Sequence, residues 1–238
     1  MKKLAVMQPY CFPYLGYFQL VHAADEFVFL DDVSFIKGGH INRNSILADG
    51  QTHRFALPVH DISSFRSIRD HRYLDTPRKF MDLLRHAYRR APFFDTVHAL
   101  VSQVLASPDR SVATINSLSV TATLEYVGVR RRFVASSDID PDPGVGGAQR
   151  VIRLCEHRQA STYVNAAGGR ELYDPAHFGT KGIVLGFIQP RFPEYRQHVS
   201  GFVPGLSIID VLMWNAPEQV ADMLKDYSID YPTPERRP

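Results

Sequence analysis

Two polar clusters near the start of the chain carry residue types suited to chemistry: Gln8-Pro9-Tyr10, then Asp31-Asp32 with Asn42-Arg43-Asn44 a little further on. A carboxylate of the Asp31-Asp32 pair suits a general base, or a group that binds a sugar hydroxyl, an amine or a ribose. Successive side chains on a strand point to opposite faces, so the pair does not chelate one metal unless the chain has already left the strand. The second carboxylate then caps the following loop. Arg43 fits phosphate or carboxylate bidentately, and the flanking Asn42 and Asn44 suit sugar or amide groups. Loop-tying hydrogen bonds are the structural alternative for the same triplet. Cys11 lies near a helix N-terminus, which lowers a thiol pKa, yet no histidine stands in a sequence relation to it that specifies a dyad. The rings of Tyr10, Phe12, Tyr14, Tyr17 and Phe18 can stack on a base or sugar, or pack beneath the loop.

The elements that would position these groups follow from apolar spacing. Leu4 to Met7 reads as a buried strand, halted by Pro9 and Pro13. Tyr14, Leu15, Phe18, Leu20 and Val21 give a helix, and Phe27 to Leu30 a second strand that delivers Asp31-Asp32 at its carboxyl end. This is a βαβ unit, and open parallel sheets bind ligands beyond the carboxyl ends of their strands. Asn42-Arg43-Asn44 is expected to fold back over that edge. Asp49-Gly50 marks a turn, with Arg54 to Val59 as an edge strand.

Thr76-Pro77 opens a helix whose apolar stripe is Phe80, Leu83, Leu84, Ala87 and Tyr88 and whose far side carries Arg85, Arg89 and Arg90. Helices over 94–105 and 112–126 follow, with Asn116 and Ser119 read as a polar face, then a strand over 132–137. The stretch DIDPDPGVGG, 138–147, reads as an active-site loop or linker before a helix over 148–157 that holds Cys155 in the core. A strand over 162–165 leads to the turn Gly168-Gly169, which can hold a phosphate at the N-terminus of a helix over 170–178. A strand over 182–188 and helices over 206–212 and 217–227 complete the pattern. Alternating strands and helices predict an α/β fold, a mainly parallel Rossmann-like sheet flanked by helices. It is expected as a single domain over 1–230 with a helical subdomain at 76–128 and a frayed tail at 231–238.

Among 238 residues, 27 Lys and Arg against 25 Asp and Glu leave a net charge of +2, too little for a whole-protein field that draws in nucleic acid. Two cysteines cannot make a disulfide framework, the first residues are too short for a signal peptide, and no run approaches the ~20 apolar residues of a membrane span. The expectation is a cytoplasmic protein. The ten histidines show no zinc-ligand spacing, so no metal is expected. The first strand, loop and helix also resemble the nucleotidylyltransferases. Tyr14-Leu15-Gly16-Tyr17 keeps the glycine of their HxGH motif but lacks both histidines, which argues against adenylyl transfer and leaves a HUP-like version of the sheet open.

Gln8-Pro9-Tyr10 with Phe12-Pro13-Tyr14-Leu15-Gly16-Tyr17-Phe18, Asp25, Phe27-Val28, Asp31-Asp32-Val33, Lys37 and Asn42-Arg43-Asn44 resembles the opening signature of the WbqC-like family. Tyr88, Ala91-Pro92, Ser136-Ser137, Tyr163, Phe178, Pro193, Tyr195, Gln197 and Ser207 to Leu212 extend the resemblance to about Asn215. Departures from the family pattern stand at His40, Lys79-Phe80, Asn165-Ala166 and Ala216.

The resemblance implies a role in surface-polysaccharide, including O-antigen, or specialised-metabolite biosynthesis, with acyl or aminoacyl transfer to a nucleotide-linked amino sugar or similar amine. In this reading Asp31 or Asp32 orients or deprotonates the amine. Arg43, Lys37 and the Gly168-Gly169 turn bind phosphate. Gln8, Tyr10, Asn42 and Asn44 fix the acceptor, and Tyr195, Gln197, Ser207 and Asp210 close the other side. No resident cofactor is implied beyond an activated acyl or aminoacyl donor. The alternatives are a non-catalytic sugar-nucleotide-binding partner of a glycosyltransferase complex, and a tRNA-dependent aminoacyl transferase that binds RNA through Arg85, Arg89 and Arg90.

Overall fold

The structure is a computed structural model describing residues 1–75, 77–140, 144–197, 199 and 201–232. Thr76, the expected helix cap, the centre of the DIDPDPGVGG stretch and the end of the expected tail lie outside the described residues. The chain runs β1 (Lys3–Met7), α1 (Leu15–Ala23), β2 (Glu26–Phe29), the hairpin β3 (Arg43–Ala48) and β4 (Gln51–Ala56), then α2 (Arg78–Tyr88), α3 (Phe94–Leu105) and α4 (Val112–Tyr126). It continues through β5 (Arg132–Ala135), α5 (Ser136–Ile139), α6 (Gly147–His157), β6 (Thr162–Ala166), a 3-10 segment (Ala167–Leu172), α7 (Pro175–Gly179) and β7 (Val184–Pro190). The last elements are α8 (Ile208–Trp214), α9 (Pro217–Met223) and β8 (Tyr227–Asp230).

Six strands form the main sheet in the order β5-β2-β1-β6-β7-β8. All neighbours are parallel except β8, which pairs antiparallel with β7. This is the Rossmann-like α/β architecture that the alternating pattern predicts. The period-2 alternation of strand side chains sends Ala5, Phe27, Phe29, Val164 and Ile188 into one core, shared with α1, α2, α3, α4, α8 and α9. Leu4, Val6, Val28, Tyr163, Leu185 and Phe187 enter a second, smaller core beneath α6 and α7. Taken in chain order, the parallel strands lie third-second-first-fourth-fifth across the sheet, so the direction of winding reverses between β1 and β6. Ligands of open α/β sheets bind in the crevice beyond the carboxyl ends at such a reversal.

Several local expectations are corrected. Arg43 and Asn44 begin a strand instead of a folded-back loop, because Asp49 and Gly50 both take positive φ (49° and 76°) and close a tight hairpin of β3 on β4. That hairpin is a separate two-stranded sheet, not an edge of the main one. The helix expected to run to Tyr227 stops at Met223. The fully buried Gln19 amide donates to the carbonyls of Arg191, Met223 and Asp226 at 2.8, 2.9 and 3.0 Å, tying off the helix so that Tyr227 to Asp230 joins the sheet. Among the described residues no helix is long and apolar enough to cross a membrane.

Candidate functional site

The loop from Gln8 to Tyr14 crosses the winding reversal, and neighbouring elements hold nearly all of its backbone. Asn116 of α4 donates to Pro9 O (2.9 Å) and Ile41 O (2.8 Å), and Cys11 N donates to Ile41 O (3.2 Å). Ser119 Oγ accepts from Phe12 N at 2.9 Å. The Phe12 carbonyl accepts from both Asn44 Nδ2 and Ser207 Oγ at 2.7 Å, and Ile208 N donates to Pro13 O at 2.8 Å. Phe12 is fully buried and sits at φ 43°, a region that bulky residues enter only when the surroundings over-determine them. Asn116 and Ser119 thus act as the buried posts of this loop, not as a polar helix face; their spacing of three, flanked by Ile115 and Val120, is the signal that marks them.

The loop walls a cleft of about 450 Å³ lined by Met7 at the end of β1, Ala166 at the end of β6, Tyr10, Tyr14, Gly16, Tyr17, Leu20, His40 and Gly205. Tyr17 donates to Gln8 O at 2.9 Å, and Tyr10 donates to Gln8 Oε1 at 3.3 Å. Tyr10 and Tyr17 lie 5.7 Å apart between ring centres, and exposed His40 lies 6.0 Å from Tyr10. Burial raises the pKa of Tyr10, Tyr14 and Tyr17, so all three remain neutral donors. A tyrosine-walled, partly apolar cleft with hydroxyl and imidazole groups at its rim suits a ring-bearing polar ligand such as a sugar or base.

Asp31 and Asp32 leave β2 beside this cleft, but both carboxylates are already occupied. Asp31 Oδ1 accepts from Ser136 Oγ (3.0 Å) and Ser137 N (3.1 Å), and its Oδ2 accepts from Ser137 Oγ (2.8 Å). Asp32 accepts from Ser136 Oγ at 2.6 Å and pairs with Arg150, whose side chain is 3% exposed and also grips Asp140 at 2.6 Å. These groups lock the end of β2 to α5 and α6, so the geometry gives the pair a positioning part and leaves neither with an unpaired oxygen. Arg150 and Asp140 carry no local sequence signal, since what makes them a pair is the fold.

Asn42 is buried and spans the hairpin exit through Leu57 O (2.8 Å), the loop-tying role. Arg43 differs: its Nε is buried with no hydrogen-bond partner among the described residues, and its Nη1 lies 3.8 Å from where a Cβ on Gly38 would stand. Lys37 is exposed on the same 33–42 loop. The turn expected at Gly168-Gly169 is instead part of the 3-10 segment, with no α-helix N-terminus behind it. Gly169 is needed for packing, because a Cβ there would stand 2.1 Å from Asn165 Nδ2.

Tyr195, Gln197 and Asp210 gather in a different place. Fully buried Asp210 accepts from Tyr88 (2.6 Å), Tyr195 (2.6 Å) and Gln197 (2.9 Å). Burial pushes its carboxyl above the usual range, opposed by these donors. This network floors a second cleft of about 550 Å³ whose lining includes His86, Tyr88, Arg89, Arg90, Gln197 and Trp214 and shares no residue with the first. Of the residues expected to close the site, Ser207 alone reaches the loop of the first cleft. Cys11, whose thiol pKa a nearby helix N-terminus was expected to lower, is fully buried and pushed up to about 12, chiefly by burial.

Comparison with known proteins agrees with the opening motif. The family model described as the WbqC-like protein family matches residues 8–222. An uncharacterized protein of Mycobacterium tuberculosis is 27% identical over 230 residues, covering 94% of this chain and 98% of that one. No solved structure matches significantly. The matched span covers the strand-end loop, the posts that hold it and, Met7 apart, the lining of both clefts, and the chain belongs to the WbqC-like protein family.

Proposed function

We propose that the protein is a cytoplasmic transferase that binds a nucleotide-linked amino sugar, or a similar amine, in the cleft between the ends of β1 and β6 and acylates or aminoacylates it. The observation that carries this reading is the tyrosine-walled cleft at the winding reversal, held by a loop whose backbone is almost wholly pinned. The sugar ring stacks against the half-buried Tyr10 and Tyr14, and Arg43, whose buried Nε has no hydrogen-bond partner among the described residues, is the group assigned to the phosphate. In the reaction the amine nitrogen attacks the carbonyl carbon of an activated acyl or aminoacyl donor. A C–N bond forms, the donor's C–S or C–O bond breaks, and the ammonium proton passes by way of His40 at the rim to the departing thiolate or alkoxide, which leaves as the thiol or alcohol. Asp31 and Asp32 serve by fixing the strand ends, since effective transfer rests on orientation of amine and carbonyl.

The occupied carboxylates also favour a second reading, in which the same cleft binds the sugar nucleotide for a partner enzyme and performs no transfer. A thermal-shift panel of nucleotides, nucleotide sugars, amino sugars and acyl donors separates these readings from no small-molecule role. Ligand at a hundredfold excess over Kd adds about 2.7 kcal/mol of stability. Stabilisation by a nucleotide amino sugar, lost in Arg43→Ala, followed by product in the presence of a donor, supports transfer. Stabilisation without product for any donor supports the partner reading, and silence across the panel refutes both.

A further inference from the structure

The opposite edge of the sheet, where the parallel strands begin, concentrates positive charge. Lys3 opens β1, Arg132 opens β5, and Arg130 and Arg131 lead into it. With His22, Ala23, Ala24, Asp25 and Tyr227 they line an opening of about 510 Å³. Arg131 is fixed: its guanidinium donates to His22 O (3.3 and 3.0 Å) and to Arg130 O (2.8 Å), carbonyl partners that leave its charge uncompensated. The side chains of Lys3, Arg130 and Arg132 have no carboxylate partner among the described residues. Among the described residues one acid lines the opening, the exposed Asp25, and its carboxylate accepts from the backbone N of Lys3 at 2.8 Å.

A chain whose whole net charge is +2 therefore places four cationic side chains around one opening with a single acid. Like charges held together cost stability, and they persist where something compensates them. His22 reports the local field. Half-buried, with Nδ1 3.1 Å from the Tyr227 hydroxyl, it is lowered to about 4 by burial and by the nearby Arg131 and Lys225.

We propose that this opening is a binding site for a compact polyphosphate, the di- or triphosphate group of a nucleotide or its inorganic equivalent, separate from the cleft at the other ends of the strands. The argument for a compact anion over a nucleic acid is the shape of the charge. The cations surround one opening instead of forming a stripe, and guanidinium groups grip phosphate oxygens in pairs. Four residue rises along β1, about 13 Å, separate the two edges, so one small ligand does not span both sites.

The test is titration of inorganic triphosphate into the full chain at low salt, with the His22 ring followed by NMR. Saturable binding that weakens at least tenfold in Arg130→Ala/Arg132→Ala, and falls as added salt shortens the Debye length below about 10 Å, is the expected result. Bound anion also raises the His22 pKa toward the ordinary histidine range. Repeating the titration with a nucleoside triphosphate distinguishes the sources: equal affinity assigns recognition to the phosphates alone, and tighter binding adds a base contact. Arg130 and Arg132 are exposed, so the variant keeps its fold, and its melting temperature checks this. No binding, or binding of equal strength in the variant, overturns the proposal. Oligonucleotide binding through these arginines without triphosphate binding also overturns it and assigns the surface to nucleic acid. The Arg43→Ala variant keeps triphosphate binding here, so failure at one site is not mistaken for failure at the other.

Discussion

Replacing Arg150 tests whether the Asp31-Asp32 region is a structural lock. Arg150 is nearly buried and serves Asp32, the Asp140 carboxylate (2.6 Å), Asp140 O (2.7 Å) and Ser136 O (3.4 Å). In Arg150→Met, Asp140 keeps Arg153 at 2.7 Å, but Asp32 keeps only the Ser136 hydroxyl and becomes a buried charge without a cation. Breaking a buried pair in this way costs about 3–5 kcal/mol. Urea denaturation followed by circular dichroism reads this as a lower midpoint with an unchanged slope. In a chain of this size, each kcal/mol moves the melting temperature by roughly 2–4 °C. Asp32→Asn in the same background removes the stranded charge, so the double variant should recover about 1–3 kcal/mol of that loss. An Arg150→Met protein within about 0.5 kcal/mol of the parent, the range of a neutral surface change, refutes the reasoning. So does strict additivity in the double variant.

Cys11, with its thiol pushed up to about 12, should resist maleimide at pH 8 in the folded protein and react on unfolding; rapid labelling of the native protein refutes its burial. His22 is lowered from 6.5 to about 4, so the unfolded chain binds more protons across that window. Its contribution to stability is therefore present above 6.5 and lost as pH falls toward 4, and His22→Leu should flatten the melting profile there. Gly169→Ala forces Asn165 away from its 2.8 Å bond to Ala166 N, an overpacking cost of about 1–3 kcal/mol. A melting temperature equal to the parent's contradicts that packing.

The sheet was legible because its strands are short apolar runs and its breaks are prolines, both local signals. The loop at Gln8 to Tyr14 was also legible as a place where a strand must stop and a helix cannot yet begin. What holds that loop was not, because Asn116, Ser119 and Ser207 are remote in sequence and act through single hydrogen bonds to its carbonyls and amides. Asp31-Asp32 looked like free chemistry because a sequence displays carboxylates without their partners. Arg150 lies 118 residues from Asp32, and folding alone brings them together. Gly168-Gly169 misled for a related reason: a glycine that admits a ligand and one that admits a neighbour's side chain, here Asn165, look alike in sequence. The β3–β4 hairpin was half seen, since Asp49-Gly50 announced the turn but the polar start of β3 hid the strand.

The central claim, that an acceptor lies between the ends of β1 and β6, is tested most directly by filling that space. Ala166 lines the cleft at the last residue of β6, and Ala166→Trp places an indole in it while leaving in place the side chains that pin the loop, Asn116, Ser119, Asn44 and Ser207. The measurement is the calorimetric Kd of a nucleoside-diphosphate amino sugar for the parent and for Ala166→Trp, after both are shown to melt alike. The account predicts binding to the parent and loss of binding in the filled variant. Unchanged affinity in Ala166→Trp would contradict it and place the ligand elsewhere, with the Arg89–Arg90 cleft the first to examine.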